Sequence, residues 1–158
     1  MAKTGYVNGS DMLLFVDGKA VGHCTSHDLT FNSETKERAV KPIAKKGMSA
    51  GLWKGKGVTG LSISISFDGL CNYEETETSF GDLMSLWKSG KSVEVKAFER
   101  EETDGEGPKT PYLVGKFVIA SLSKSNPAQD DVTYNGSLEN DGEPEIFDPS
   151  VLTADGAE

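Results

Sequence analysis

Apolar and polar positions alternate along most of this chain with the period of two that belongs to β-strands. The clearest stretch is Val58 to Phe67. Leu61, Ile63, Ile65 and Phe67 fall on one face, Gly60, Ser62, Ser64 and Ser66 on the other. That predicts a strand with one face on a core and one small, hydroxylated face toward solvent. Met12 to Asp17 is an apolar run ending at Asp17-Gly18, a dipeptide suited to a two-residue type I′ hairpin, and Ala20 to Ser26 is expected to return as the second strand. Leu29 to Val40 alternates loosely and stops at Pro42. Val93 to Glu99 groups Val93, Val95 and Ala97. Tyr112 to Ser123 is apolar on both faces, as a central strand is. Val132 to Glu139 turns Val132, Tyr134 and Leu138 inward.

One segment changes period. Phe80, Leu83, Met84 and Trp87 recur at helical spacing between a Ser79 cap and a Gly90 stop, which predicts a helix over Ser79–Lys88 with Phe80 and Trp87 inward as ordinary core. Glu74, Glu75 and Glu77 precede it and complement its dipole. Residues 41–57 hold four glycines and five lysines with neither period, and read as a long loop; such loops inside compact domains are usually functional or disordered. Glu101 to Lys109 is a polar loop. The expected fold is mainly β: an antiparallel β-sandwich or barrel of six to seven strands with one flanking α-helix and a long extended loop. A single domain is expected over residues 1–147, followed by a flexible acidic tail over 148–158.

Composition narrows the class. The chain has 158 residues, 36% hydrophobic and 26% charged, enough to bury a core without a metal or disulfide staple. No apolar run approaches the ~20 residues of a membrane helix. The first residues lack the apolar stretch of a secretory signal, and two cysteines, Cys24 and Cys71, fit a reducing compartment. Charge is unevenly placed. Residues 1–60 carry nine Lys/Arg against five Asp/Glu, and residues 61–158 seven against twenty. The basic excess lies between Lys36 and Lys56, and Glu139 to Glu158 holds seven acids and no base. An acidic surface repels the nucleic-acid backbone, which excludes a conventional DNA-binding module, whereas two opposed surfaces suit head-to-tail contact between copies. Two solvated segments without a partner are the plainer reading of the same charge runs.

Catalytic signatures are weak. Gly55-Lys-Gly57-Val-Thr-Gly60 matches G-x-G-x-x-G literally, but it follows a loop and opens a strand, whereas a dinucleotide site needs a helix N-terminus. His23, Cys24, His27 and Asp28 are the one cluster of potential metal ligands. On an extended strand His23 and His27 lie ~13 Å apart, too far for one ion, unless a turn at Ser26 brings them together with Cys71 as a remote fourth ligand. No nucleophile elbow accompanies either histidine. Asp104-Gly-Glu106-Gly lacks the ligand count of a calcium loop. No enzyme, metal or cofactor is expected.

The order of elements resembles the major tail tube proteins of long-tailed, siphovirus-type phages and prophages. The resemblance spans about residues 10–142. It begins with the hairpin Leu14-Phe-Val-Asp-Gly-Lys-Ala, the charged strand Leu29 to Lys41 and the Gly-rich loop carrying Trp53. It continues through the serine-alternating strand ending Phe67-Asp-Gly-Leu70, the helix with Phe80, Leu83 and Leu86, and the Gly-Lys-Ser-Val-Glu-Val strand. It closes on Tyr112-Leu-Val-Gly-Lys-Phe-Val-Ile-Ala-Ser-Leu-Ser and Val132-Thr-Tyr-Asn-Gly-Ser-Leu-Glu-Asn-Asp-Gly. One departure is Asn140-Asp141-Gly142, where such proteins often close the last strand with Gly-x-Gly.

The resemblance implies a structural virion protein of the tail, assembled in the bacterial host cytoplasm. Such subunits form hexameric rings that stack into a tube, their inner sheets joining around a channel for DNA. Implied partners are further copies, a tape-measure protein, tail-end capping proteins, and DNA passing non-specifically through the lumen, with no membrane anchor. The Gly60, Ser62, Ser64 and Ser66 face would line that channel. The long loop would reach neighbouring subunits, with Lys41, Lys45, Lys46, Lys54 and Lys56 meeting acidic surface and Leu52 and Trp53 burying against it. The competing expectation is a monomeric β-sandwich that binds a ligand or carbohydrate, with Trp53 and Tyr73 as its free aromatics.

Overall fold

The computed structural model describes residues 5–38, 54–73, 77–100 and 110–148. After a 3₁₀ turn at Gly9–Asp11, the chain runs through strands β1 (Met12–Val16), β2 (Lys19–Ala20), β3 (Cys24–Arg38) and β4 (Gly55–Leu70). Helix α1 (Phe80–Ser89) follows, then β5 (Val93–Glu99), β6 (Pro111–Ser125), β7 (Thr133–Asn140) and β8 (Ile146–Phe147). All pairings are antiparallel, in the order β2-β1-β5-β6-β7-β4-β3, with β8 added to β6.

Strands β2 and β3 stand at opposite ends of that order, yet only Val21, Gly22 and His23 separate them in the chain. Laid flat, seven strands would hold those ends ~29 Å apart at ~4.8 Å per strand. Three linking residues span at most ~14 Å. The sheet therefore curls over on itself and encloses one core, without β2–β3 pairs to close it into a barrel. The linker is pinned at this seam: the Tyr134 hydroxyl of β7 donates to the Gly22 carbonyl, and Gly22 N–H donates to the Thr78 carbonyl at 2.9 Å. A Cβ at Gly22 would lie 2.7 Å from that carbonyl oxygen, so only glycine fits.

Local chemistry accounts for most elements. Asp17 and Gly18 both have positive φ (52° and 82°), the geometry of a type I′ turn, and Val16 pairs with Lys19 across it. Ser79 and Asp82 cap α1 reciprocally, and Gly90 ends it in the left-handed conformation (φ 67°). Phe67, Ile65, Phe117, Leu138 and Val95 are fully enclosed, and β6 lies centrally between β5 and β7, as its apolar faces required.

Four expectations need correcting. The return strand Ala20–Ser26 is interrupted, because the chain turns at His23 (φ 43°) and β3 starts at Cys24. The predicted loop over 41–57 is shorter than expected, since β4 already begins at Gly55; this stretch lacks alternation because solvent reaches both of its faces. Leu61 has the parity of the core face but is 76% exposed, lying beyond the end of the core. On α1 the inward line is Phe80, Leu83 and Leu86, so Met84 and Trp87 are 53% and 57% exposed.

Candidate assembly interface

Strands β3, β4, β7 and the C-terminal half of β6 form a four-stranded half-sheet with two unlike faces. The inner face carries Leu29, Ile63, Ile65, Phe67, Leu138, Ile119 and Leu122. Register places hydroxyls and amides opposite one another on the outer face: Asn32 with Ser62, Thr30 with Ser64, Ser66 with Ser137, and Ser123 with Asn135. Ser121 and Ser137 share a hydrogen bond of 2.7 Å, and Ser26 donates to Asp68 at 3.1 Å. The sequence-predicted Gly60, Ser62, Ser64 and Ser66 lie here, away from the core, with Ser62 and Ser66 exposed. Carboxylates at Asp28, Asp68 and Glu139 share the face, and cations enter it only at Lys36 and Arg38 near the far end of β3. The surface is hydrated, acidic and without bulky apolar groups.

The edges of this half-sheet are open among the described residues. No strand pairs with β3 on the side away from β4. Across β6, pairing with β5 ends at Phe117, so Val118–Ser125 has β7 on one side and no strand on the other. Open edges of this length invite another chain.

Beyond Ile63 the β3–β4 pair projects past the core as an arm. A bulge at Thr59 keeps Gly55, Gly57 and Gly60 on the outer face, where Arg38 lies against Gly57 and Glu34 against Gly60. This is the place of the G-x-G-x-x-G match, which opens no helix. Lys54 sits 3.5 Å from Glu37, and Lys56 is opposite Glu37 in register. Lys41, Lys45, Lys46, Leu52 and Trp53 lie outside the described residues.

The arm's other face was missed in the sequence. Phe31, Val58 and Leu61, with Pro144 and Phe147, border an open cleft of about 850 Å³, and Phe31 stacks edge-on against Phe147 at 5.7 Å. Leu61 continues the alternation of a buried strand, and nothing in the spacing marks where the core stops.

The histidine–cysteine cluster is dispersed. His23 N–H donates to Glu77 at 2.9 Å, and the Cys24 thiol donates to the Ser26 carbonyl at 3.3 Å. Burial pushes the Cys24 thiol up and His27 down. Among the described residues no three His, Cys, Asp or Glu side chains are placed to hold a metal ion. Tyr73, the candidate free aromatic, is fully exposed with no cleft partner of its own kind.

A two-faced sheet with open edges and a projecting arm is the build of a structural subunit that completes itself against other chains. Residues 6–146 match the family described as phage tail tube protein, and this chain belongs to that family. It is a structural protein of the virion tail and not an enzyme. The fold agrees. The tail of an empty gene transfer agent particle with C6 symmetry superposes with a TM-score of 0.64 at 19% identity, covering 90% of this chain and 99% of that one. The SPP1 tail tube gives 0.52 at 15% identity, covering 97% and 87%. A chain of the anti-feeding prophage baseplate gives 0.54 at 9% identity, covering 89% and 94%. No match was found among curated proteins.

Proposed function

We propose that this chain polymerises into stacked hexameric rings whose bore conducts DNA. The observation that carries the reading is the four-stranded half-sheet, which is polar and acidic outside, apolar inside, and open at both edges. Pairing β3 of one copy with the Val118–Ser125 edge of β6 on the next joins the half-sheets into one wall, removes both edges, and turns the Gly60, Ser62, Ser64 and Ser66 face toward the bore. Hydroxyls stay hydrated there, and Asp28, Asp68 and Glu139 repel the phosphate backbone, so DNA slides without sticking. The arm and the segment 41–53 reach the adjoining ring, with Lys41, Lys45, Lys46, Lys54 and Lys56 against acidic surface and Leu52 and Trp53 buried between copies. Further partners are a tape-measure protein during assembly, which takes place in the host cytoplasm, and proteins that cap the tube ends.

Electron microscopy and sizing of the purified chain test this. Rings or tubes are expected; a concentration-independent monomer at every salt concentration would overturn it. Replacing Lys45, Lys46, Lys54 and Lys56 together with glutamate should abolish polymerisation, and unimpaired tubes would remove the basic segment from the mechanism.

A further inference from the structure

Two exposed apolar surfaces stand at opposite poles of the molecule. At one pole is the cleft under the arm, bordered by Phe31, Val58, Leu61 and Phe147, with Glu143 on its rim and Asp141 and Glu145 exposed in the same turn. At the other is the outward stripe of α1. Met84, Trp87, Lys88 and Lys91 follow one another at 0, +3, +4 and +7, so two apolar side chains and two lysines share one line. Met84 borders the same hollow as Leu70, the last residue of β4. Nine residues of extended strand separate Leu61 from Leu70, ~30 Å at ~3.3 Å per residue, so the two surfaces cannot meet within one copy.

We infer that the cleft under the arm receives the Met84–Trp87 stripe of α1 from a second copy, in a head-to-tail contact directed along β4. Apolar faces match in kind: an open hydrophobic cleft on one side, and a Trp and a Met on a capped, well-ordered helix on the other. Their charges are opposite, with Glu143 and its neighbours facing Lys88 and Lys91. The sides differ in identity, so the contact is heterologous and propagates from copy to copy instead of closing a dimer. Aromatic anchors seated in apolar clefts and rimmed by charge are the usual centre of such interfaces. The contact rests on the tube reading above and adds to it which surface meets which. It also gives the exposed half of the α1 apolar stripe a function that packing within the subunit does not.

The test is cross-linking in the assembled tube. Leu61→Cys and Met84→Cys chains are prepared separately, mixed in equal amounts, allowed to polymerise, and treated with a short bismaleimide. Wild-type chains and each variant alone are treated in parallel to account for Cys24 and Cys71. A dimer band specific to the mixture is expected. Tubes that form without that band, or with equal bands in the single-variant controls, would overturn the contact while leaving the tube reading intact. Failure of wild-type chains to polymerise under any condition would overturn both. A charge exchange keeps the question open should the cysteine variants misfold. Glu143→Lys and Lys88→Glu should each raise the critical concentration several-fold, and the double variant should recover most of the loss. No recovery would overturn the pairing.

Discussion

Strand β4 is two surfaces joined end to end. From Ile63 to Leu70 one face is enclosed by β1, β5, β7 and α1, and Ile65 and Phe67 reach zero or near-zero exposure. From Gly55 to Ser62 the same strand has solvent on both sides, and Val58 and Leu61 stand 62% and 76% exposed. Hydrogen bonding to β3 continues through both parts, so backbone pairing does not distinguish them. The inner part stabilises the subunit. The outer part contributes little until another chain covers it.

The largest expected effect sharpens this contrast. Phe67→Ala removes a fully buried ring that also stacks on Tyr134 (centroids 6.2 Å apart), and should cost the subunit about 3–5 kcal/mol. Leu61→Ala, six residues away on the same strand face, should change subunit stability by less than about 0.5 kcal/mol. Urea denaturation of unassembled protein measures both. Similar losses would show that the arm is part of the core after all.

Next in size is Gly136→Ala. A Cβ at Gly136 would stand 2.7 Å from the Phe67 ring and 2.9 Å from Leu122, and neither group can retreat from a filled core. About 1–3 kcal/mol of overpacking is expected. A similar change at Gly55, which meets nothing closer than 3.9 Å, should be tolerated, and equal costs at both sites would deny the division of β4.

The seam between the sheet ends gives a third effect. Tyr134→Phe removes the hydroxyl that donates to Gly22, leaving a buried carbonyl without that partner, at about 1–3 kcal/mol. Burial first, and then the neighbouring Cys24, Cys71 and Glu77, push the Tyr134 phenol well above its usual range. Its contribution is therefore complete below about pH 10, where the unfolded chain's tyrosine begins to ionise, and is lost as pH rises further. The variant should show a shallower alkaline loss than wild type. Parallel curves would mean that the phenol does not couple folding to pH.

How much of this was legible in the sequence follows from the same division. Alternation reports burial of one face, so Ile63, Ile65, Phe67, Tyr134 and Leu138 could be placed by spacing alone. The Asp17-Gly18 turn and the Ser79 and Gly90 caps are written in local chemistry. Lys54 to Gly57 gave no strand signal because a strand wet on both faces has no period to display. Leu61 misled for the opposite reason: it is apolar for a contact that the subunit does not itself make. On α1, Met84 and Trp87 completed a stripe wider than the packed line Phe80, Leu83 and Leu86, and spacing cannot apportion a stripe between an internal core and an external partner. The polar face of β4 was readable as solvent-facing, whereas its alignment with Ser121, Asn135 and Ser137 depended on a register set by bulges at Thr59 and Ala120.

The smallest effect concerns the base of β3, where it joins the body. His27 pairs in register with Phe67 and faces the core side of the sheet. Burial lowers its pKa, and the adjacent Asp28 carboxylate offsets this only in part. Near pH 6.5 the unfolded chain therefore binds a proton that the folded chain does not. Stability is whole above that pH and falls as pH drops toward the folded value. His27→Gln removes the titration, so the loss between about pH 7.5 and pH 5 should be smaller in the variant than in wild type, once the carboxylates common to both are subtracted. Because Thr30 and Asn32 lie further out on β3 and do not titrate, tube polymerisation driven by that edge should weaken over the same range only as far as the subunit itself does. Polymerisation that failed at pH 5 while subunit stability held would move the pH sensitivity out of the body and into the contacts between copies.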